Sequence, residues 1–152
     1  MTYAEQTTVE KRTVELKPNN DSTNYDSILT DSLDHAEGKI NLGLIQNNIP
    51  LPKSVDVENL KTQLQSEDED IQVEAKQDPL YNLINAANLY AAAFLFDTYY
   101  SSNDNISPTS TSYKKDADAF LQGYITIIQE GYNQETETTP SLPPVGSLVK
   151  RF

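Results

Sequence analysis

The sequence predicts an all-α fold, a small three- to four-helix bundle with extended N- and C-terminal arms, on three observations. Three segments carry apolar residues at steps of three and four, the spacing that lines one face of a helix. Polar, turn-forming stretches separate them, and the two ends of the chain lack the pattern. The 152 residues suit one domain. Apolar residues make up 37 %, or about 40 % with the 5 glycines, below the ~45–50 % of an average globular chain. A compact core therefore occupies only part of the sequence. Residues 22–131 read as the helical domain, 1–21 as an N-terminal arm or short helix, and 132–152 as an extended C-terminal arm.

The first helix is predicted over residues 22–46, where Tyr25, Ile28, Leu29, Leu33, Ala36, Ile40 and Leu44 draw one stripe. Asp21, Ser22 and Thr23 offer side-chain oxygens to the unpaired N–H groups at its start. The run Asn47-Asn48-Ile49-Pro50-Leu51-Pro52 closes it, because residues before proline avoid the α region. Gly38 and Gly43 each weaken such a helix by about 1 kcal/mol relative to Ala. Close packing against another helix is the expected compensation at both.

Residues 53–77 are the least hydrophobic internal stretch, with one short periodic set (Val57, Leu60, Leu64) and the acidic run Glu67-Asp68-Glu69-Asp70. They read as an excursion of two helical turns projecting from the body, carrying a solvated acidic loop. A calcium loop would need alternating ligands, a turn glycine and a terminal bidentate Glu, none of which is in the sequence here.

Asp78-Pro79 announces the second helix with an N-cap and a proline at the first helical position, where its missing N–H costs nothing. The helix is predicted to reach Tyr100 and to be the central core element. Leu80, Leu83, Ile84, Ala87, Ala91, Phe94, Leu95 and Thr98 give it a wide apolar face, and its alanines leave room for a neighbouring backbone. Asn82, Asn85 and Asn88 interrupt the apolar stretch, which argues against a membrane span of ~20 residues. These asparagines share one slowly turning edge. That edge is either partly solvated or a seam between subunits, where Asn both donates and accepts without the desolvation cost of a charge.

Residues 101–108 are turn chemistry, and any of Thr109, Ser110, Thr111 and Ser112 is suited to cap a third helix over 112–130. Its buried stripe is Tyr113, Ala117, Phe120, Leu121, Tyr124, Ile127 and Ile128, with Gly131 in the place of a left-handed C-cap. Residues 1–20 fit a short helix (Val9, Thr13, Leu16) or an alternating strand equally well. After Tyr132, Pro140, Pro143, Pro144 and Gly146 oppose a helix. The tip Leu148-Val149-Lys150-Arg151-Phe152 is apolar and basic, which suits either an arm that orders on a partner or a plainly disordered terminus.

Chemistry is sparse. With no Cys and a single His, the sequence excludes a disulfide scaffold, a thiol nucleophile and a Cys/His zinc site. No cofactor, no metal and no catalysis are expected. His35 has Asp31 one turn back and Asp34 beside it, but no nucleophile motif accompanies it. No phosphate-cradling glycine loop is present, and the sequons at Asn20 and Asn105 are coincidental without a secretory signal. The N-terminus has no basic region followed by an apolar one, so synthesis in a cytoplasm is expected. A net charge of −12 disfavours specific binding to nucleic acid or to an anionic membrane. The 9 tyrosines remain, among them Tyr81, Tyr90, Tyr99, Tyr100, Tyr113, Tyr124 and Tyr132 in or beside the last two helices. More tyrosine than three helices bury inside one subunit points to protein–protein interfaces.

Taken in order, the parts of the chain resemble the head-to-tail connector (adaptor) proteins of tailed bacteriophages. The likeness lies in the opening MTYAEQTTVEKR, then Ile28, Ala36, Ile40-Asn41 and Leu44, then Ile49-Pro50-Leu51-Pro52. Asp78-Pro79-Leu80, Ala86-Ala87, Tyr90-Ala91, Tyr99-Tyr100-Ser101 and Asp116-Ala117-Asp118-Ala119-Phe120-Leu121-Gln122-Gly123-Tyr124-Ile125 follow. It covers residues 24–131. The resemblance implies a virion structural protein of the phage neck: a ring, usually twelvefold, stacked beneath the portal, through which DNA passes and onto which a tail or further neck protein docks. The partners implied are other copies of the chain, the portal, that next protein, and DNA passing without specific binding, with the host cytoplasm as the place of assembly. The 53–77 excursion and the 132–152 tail depart from the shorter relatives.

An acidic wall suits a DNA channel, since phosphate neutralisation is the main source of non-specific affinity. Apolar and tyrosine contacts must then carry assembly, so the free protein is expected to be monomeric or weakly associated and the ring to form on the portal. The interface candidates are Asn82, Asn85, Asn88, Tyr90, Tyr99 and Tyr100. In the tail, Leu148 and Phe152 suit apolar pockets of a neighbour, and Lys150 and Arg151 its acidic groups. Two rival readings are an acidic cytoplasmic regulator acting by protein–protein binding and a small hydrolase using His35.

Overall fold

The alanine-rich helix is the axis around which the other elements pack in the computed structural model, which describes residues 2–16, 22–100 and 107–138. Six helices are found among the described residues, and no strand: α1 (Gln6–Arg12), α2 (Ser22–Gln46), α3 (Ser54–Leu64), α4 (Glu69–Ala75), α5 (Leu80–Tyr100) and α6 (Pro108–Thr138). The all-α class is as expected.

Asp78 starts α5 as predicted: its Oδ1 accepts from the Leu80 N–H at 2.9 Å, and the Asp78 and Pro79 carbonyls accept from Tyr81 and Asn82. From Leu83 to Phe96 every residue of α5 but Asn85 and Phe94 is buried. An apolar helix is stable in this position because its neighbours remove it from water on several sides, each fully buried Leu or Ile contributing about 1.5–3 kcal/mol. Along α6, the Phe96 and Tyr113 rings meet edge to face at 5.9 Å, and Ser110 Oγ donates to the Ala93 carbonyl at 3.3 Å. The α2 stripe Leu29, Ala36, Ile40, Leu44 is buried in the same core.

Helix α2 ends on a left-handed Asn48 (φ 58°), with Ile49 N–H on the Leu44 carbonyl (2.9 Å) and Asn48 N–H on that of Ile45 (3.0 Å). This is the Schellman arrangement with Asn in place of Gly, and buried Ile49 fastens it. Of the two glycines inside α2, only Gly43 answers the expectation of close packing. A Cβ there would lie 2.9 Å from Leu121 Cδ2 of α6, whereas one at Gly38 would meet nothing within 4 Å.

Three expectations are corrected and one open choice is decided. The N-terminal segment takes the short-helix alternative rather than a strand or an extended arm, and it is docked: Tyr3, Ala4, Val9, Thr13 and Leu16 are all buried. Its fastenings are long-range. Asn88 Oδ1 accepts from the Glu5 N–H and Tyr3 Oη donates to Asn41 Oδ1, both at 2.7 Å. Thr13 Oγ1 lies 2.7 Å from Tyr25 Oη, and Lys61 Nζ donates to the Thr2 carbonyl at 2.5 Å.

The excursion is a pair of helices, and its acidic run starts the second rather than forming a loop. Asp68 Oδ1 accepts from the Asp70 N–H at 2.9 Å, and Glu69 and Asp70 occupy the first turn of α4. Carboxylates are favoured there because the helix dipole offers them its positive end. Leu60 and Ala75 pack on Ile84 in a small cluster of their own.

At the third helix, Ser107 is the cap, accepting the Ser110 N–H at 3.2 Å, and Pro108 takes the first helical position in preference to a start at Ser112. Finally, α6 passes through Gly131 to Thr138. One interior glycine costs only about 1 kcal/mol, too little to stop a helix whose next proline is Pro140. The C-terminal arm expected from residue 132 thus begins as helix, and residues 139–152 lie outside the described ones.

Candidate functional site

The tyrosines do not form the expected outer surface. Tyr3, Tyr25, Tyr90 and Tyr124 are buried and Tyr81, Tyr99 and Tyr113 half-buried, so no described tyrosine side chain is fully exposed. A six-helix body has more interior than the three helices from which a surplus was inferred. Tyr90 donates to Asp118 across the α5–α6 seam, and burial together with that bond raises its pKa. Burial pushes Tyr3 up to about 12. It also raises Tyr99 and Tyr124. Tyr99 Oη has no hydrogen-bond partner among the described residues.

The three asparagines separate in their roles. Asn88 is buried and spent inside the chain, accepting from the Glu5 N–H and donating Nδ2 to Glu5 Oε1 at 3.4 Å. Asn82 is half-buried beside Gly123 of α6, and Asn85 is half-buried. Tyr100 ends α5, while Leu148, Lys150, Arg151 and Phe152 lie outside the described residues.

The exposed large apolar side chains are mostly aliphatic instead. Leu42 and Ile45, one turn apart at the end of α2, are 55 % and 59 % exposed, and Leu51 on the connection to α3 and Val55 in the first turn of α3 are exposed as well. Ile71 and Val73 of α4, and Phe120 and Ile127 two turns apart on α6, are also exposed. The periodic stripe predicted for the third helix placed Phe120 and Ile127 inside. They sit at the edge of that stripe and are 36 % and 43 % exposed.

A cleft of about 540 Å³ opens between α2, α5 and α6, and it gathers His35, Lys39, Tyr90, Phe94, Asp97 and Lys114. The His35 and Phe94 rings lie 4.8 Å apart, and the Lys39 ammonium stands 5.0 Å from the Tyr90 ring centroid, a cation–π distance. Lys114 Nζ pairs with Asp97 Oδ2 at 2.6 Å. Burial works to raise the Asp97 pKa, but hydrogen bonds from Lys114 and Ser110 outweigh it and hold the carboxyl below the usual range. His35 is held below the ordinary histidine value, first by lost hydration against α5, then by the Lys39 and Lys114 ammonium groups, with Asp97 opposing. The cleft thus brings an imidazole, two ammonium groups, the Thr98 hydroxyl and aromatic rings to one place, groups able to bind an anion.

Sequence reasoning found His35 but not the cations around it. The signal for Lys39 was its place one turn after His35; nothing in the sequence pointed to Lys114, which comes from another helix. The acidic run Glu67-Asp68-Glu69-Asp70 is exposed at the α3–α4 turn, away from this cleft. Among the described residues no group of three or more His, Asp or Glu is placed to hold a metal ion, and no helix is long and apolar enough to cross a membrane. Comparison with protein-family models, curated proteins and solved structures gave no match to this chain.

Proposed function

We propose that the chain is a structural subunit of the neck of a tailed-phage virion, one member of a twelvefold ring that joins the portal to the tail or the next neck protein. The ring leaves an acidic channel for DNA, and the chain performs no catalysis. The observation that carries this reading is the coexistence of exposed aliphatic side chains at Leu42, Ile45, Leu51 and Val55 with a net charge of −12. Exposed apolar surface of this kind is covered when the protein assembles. The charge keeps the free chain soluble and lets phosphate slide past. The helical body and the order of its parts support the same reading through the resemblance to head-to-tail connectors.

Electron microscopy of the protein in its native assembly tests it. Rotational symmetry with the chain in a closed ring is the expected result. A one-to-one complex with a basic protein would instead make it an acidic regulator, and turnover lost on His35→Ala would make it an enzyme.

A further inference from the structure

In a chain with 23 acidic and 11 basic residues, apolar contact between copies is helped where carboxylates of one meet cations of the next. The cleft of α2, α5 and α6 supplies such a place. Lys114 is already paired with Asp97, and Asp118 is taken by Tyr90. Lys39 faces the Tyr90 ring and has no carboxylate partner among the described residues, and His35 beside it rests on Phe94. The site therefore holds an ammonium free to accept an anion, on a floor of aromatic rings.

The complementary group is on the same chain at a different level. The α3–α4 turn presents Glu67, Asp68, Glu69 and Asp70, all exposed, with exposed Ile71 and Val73 directly behind them. The pair is seated on Leu80, Tyr81 and Ile84 of α5, while the cleft is built on Tyr90, Phe94, Asp97 and Thr98. From Ile84 to Phe94 the axis of α5 advances about 15 Å, and the side chains point in directions about 80° apart. The two surfaces thus lie at different heights and on different sides of the molecule. A contact made once between two copies is heterologous: each copy offers one surface to its predecessor and the other to its successor, and repetition gives a closed ring or an open helix, whereas reciprocal pairing of both surfaces would close a two-fold dimer.

We propose that the acidic α3–α4 turn of one copy docks into the His35–Lys39–Lys114 cleft of the next copy. This rests on the ring reading and names its subunit contact. Charge attraction steers and registers the two surfaces.

The absence of native cysteine gives a direct test. Glu67 and Thr98 are both exposed, and Thr98 lines the cleft. The full-length chain carrying Glu67→Cys and Thr98→Cys, oxidised at high concentration, is expected to give a ladder of covalent dimers, trimers and larger species on a non-reducing gel. Adding Lys39→Glu should deplete the ladder by about tenfold, and adding Glu69→Lys to that same chain should restore it. Circular dichroism checks that each variant is folded. A ladder that is absent, stops at dimers or ignores Lys39→Glu overturns the proposal. If electron microscopy then still finds a ring, the contact is wrong and the neck reading survives; without a ring, both fall.

Discussion

The N-terminal segment and the α3–α4 pair are both short, polar additions to the α2–α5–α6 body, yet they are held by different means. Residues 2–16 send five buried side chains into or against the main core and tie themselves to α2, α3 and α5 by hydrogen bonds spanning 38 to 83 residues. The α3–α4 pair buries Leu60 and Ala75 against Ile84 in a separate cluster and shares only Val57 with the main one. The difference teaches that a polar composition does not set how firmly a segment is attached. What decides is whether its few apolar residues reach a core that other helices already line.

Breaking the two attachments should have unequal consequences. Tyr3→Ala removes a fully buried ring from the main core and should cost about 3–5 kcal/mol of global stability, read as a lowered urea midpoint. Leu60→Ala should act locally, with amide exchange accelerating across α3 and α4 while α5 keeps its protection. Equal effects on the whole molecule from both variants would abolish the distinction.

Alkaline pH sharpens the comparison, because the raised phenols of Tyr3, Tyr90, Tyr99 and Tyr124 all belong to the main body and its N-terminal segment. In the folded chain these groups stay neutral where the unfolded chain would ionise. Their contribution is therefore complete below about pH 10 and is lost as the pH rises toward the Tyr3 value of about 12. Phenolate absorbance and loss of helical circular dichroism should rise together above pH ~10; phenols titrating early in a chain that remains folded would contradict this.

Smaller effects follow at single polar and backbone positions. Asn88→Ala leaves the Glu5 N–H without its acceptor and should cost about 1–3 kcal/mol, with exchange protection lost first at α1. Gly38→Ala should stabilise by about 1 kcal/mol, since the added methyl meets open space. Gly43→Ala should gain less or lose, because Leu121 must move aside. The difference between the two midpoints in thermal melts measures the α2–α6 approach.

Much of the fold was legible in local chemistry. Asp78-Pro79 announced the start of α5, the alanines marked it as the central helix, and Asn47-Asn48 followed by proline marked the end of α2. Errors came where a local preference was weak against its surroundings: Gly131 inside α6, Pro108 as its first residue, and the acidic run as a helix start. The cleft was half legible. His35 and Lys39 share one turn of α2, but Lys114 and Asp97 arrive from two other helices, 17 residues apart from each other by the same count that separates Ser110 from Ala93.

By itself the sequence determined that the chain is helical, where α2 ends and α5 begins, which helix is apolar enough to be the axis, and how much negative charge it carries. Only the tertiary structure decided that the tyrosines turn inward, that aliphatic side chains take the surface, that one glycine of α2 is a packing site and the other is not, and that free Lys39 and the acidic turn stand apart. The physical reason is range. Periodicity and capping act within a few residues of one segment, whereas which face is covered depends on contacts such as Glu5 with Asn88, which exist only once distant helices have met.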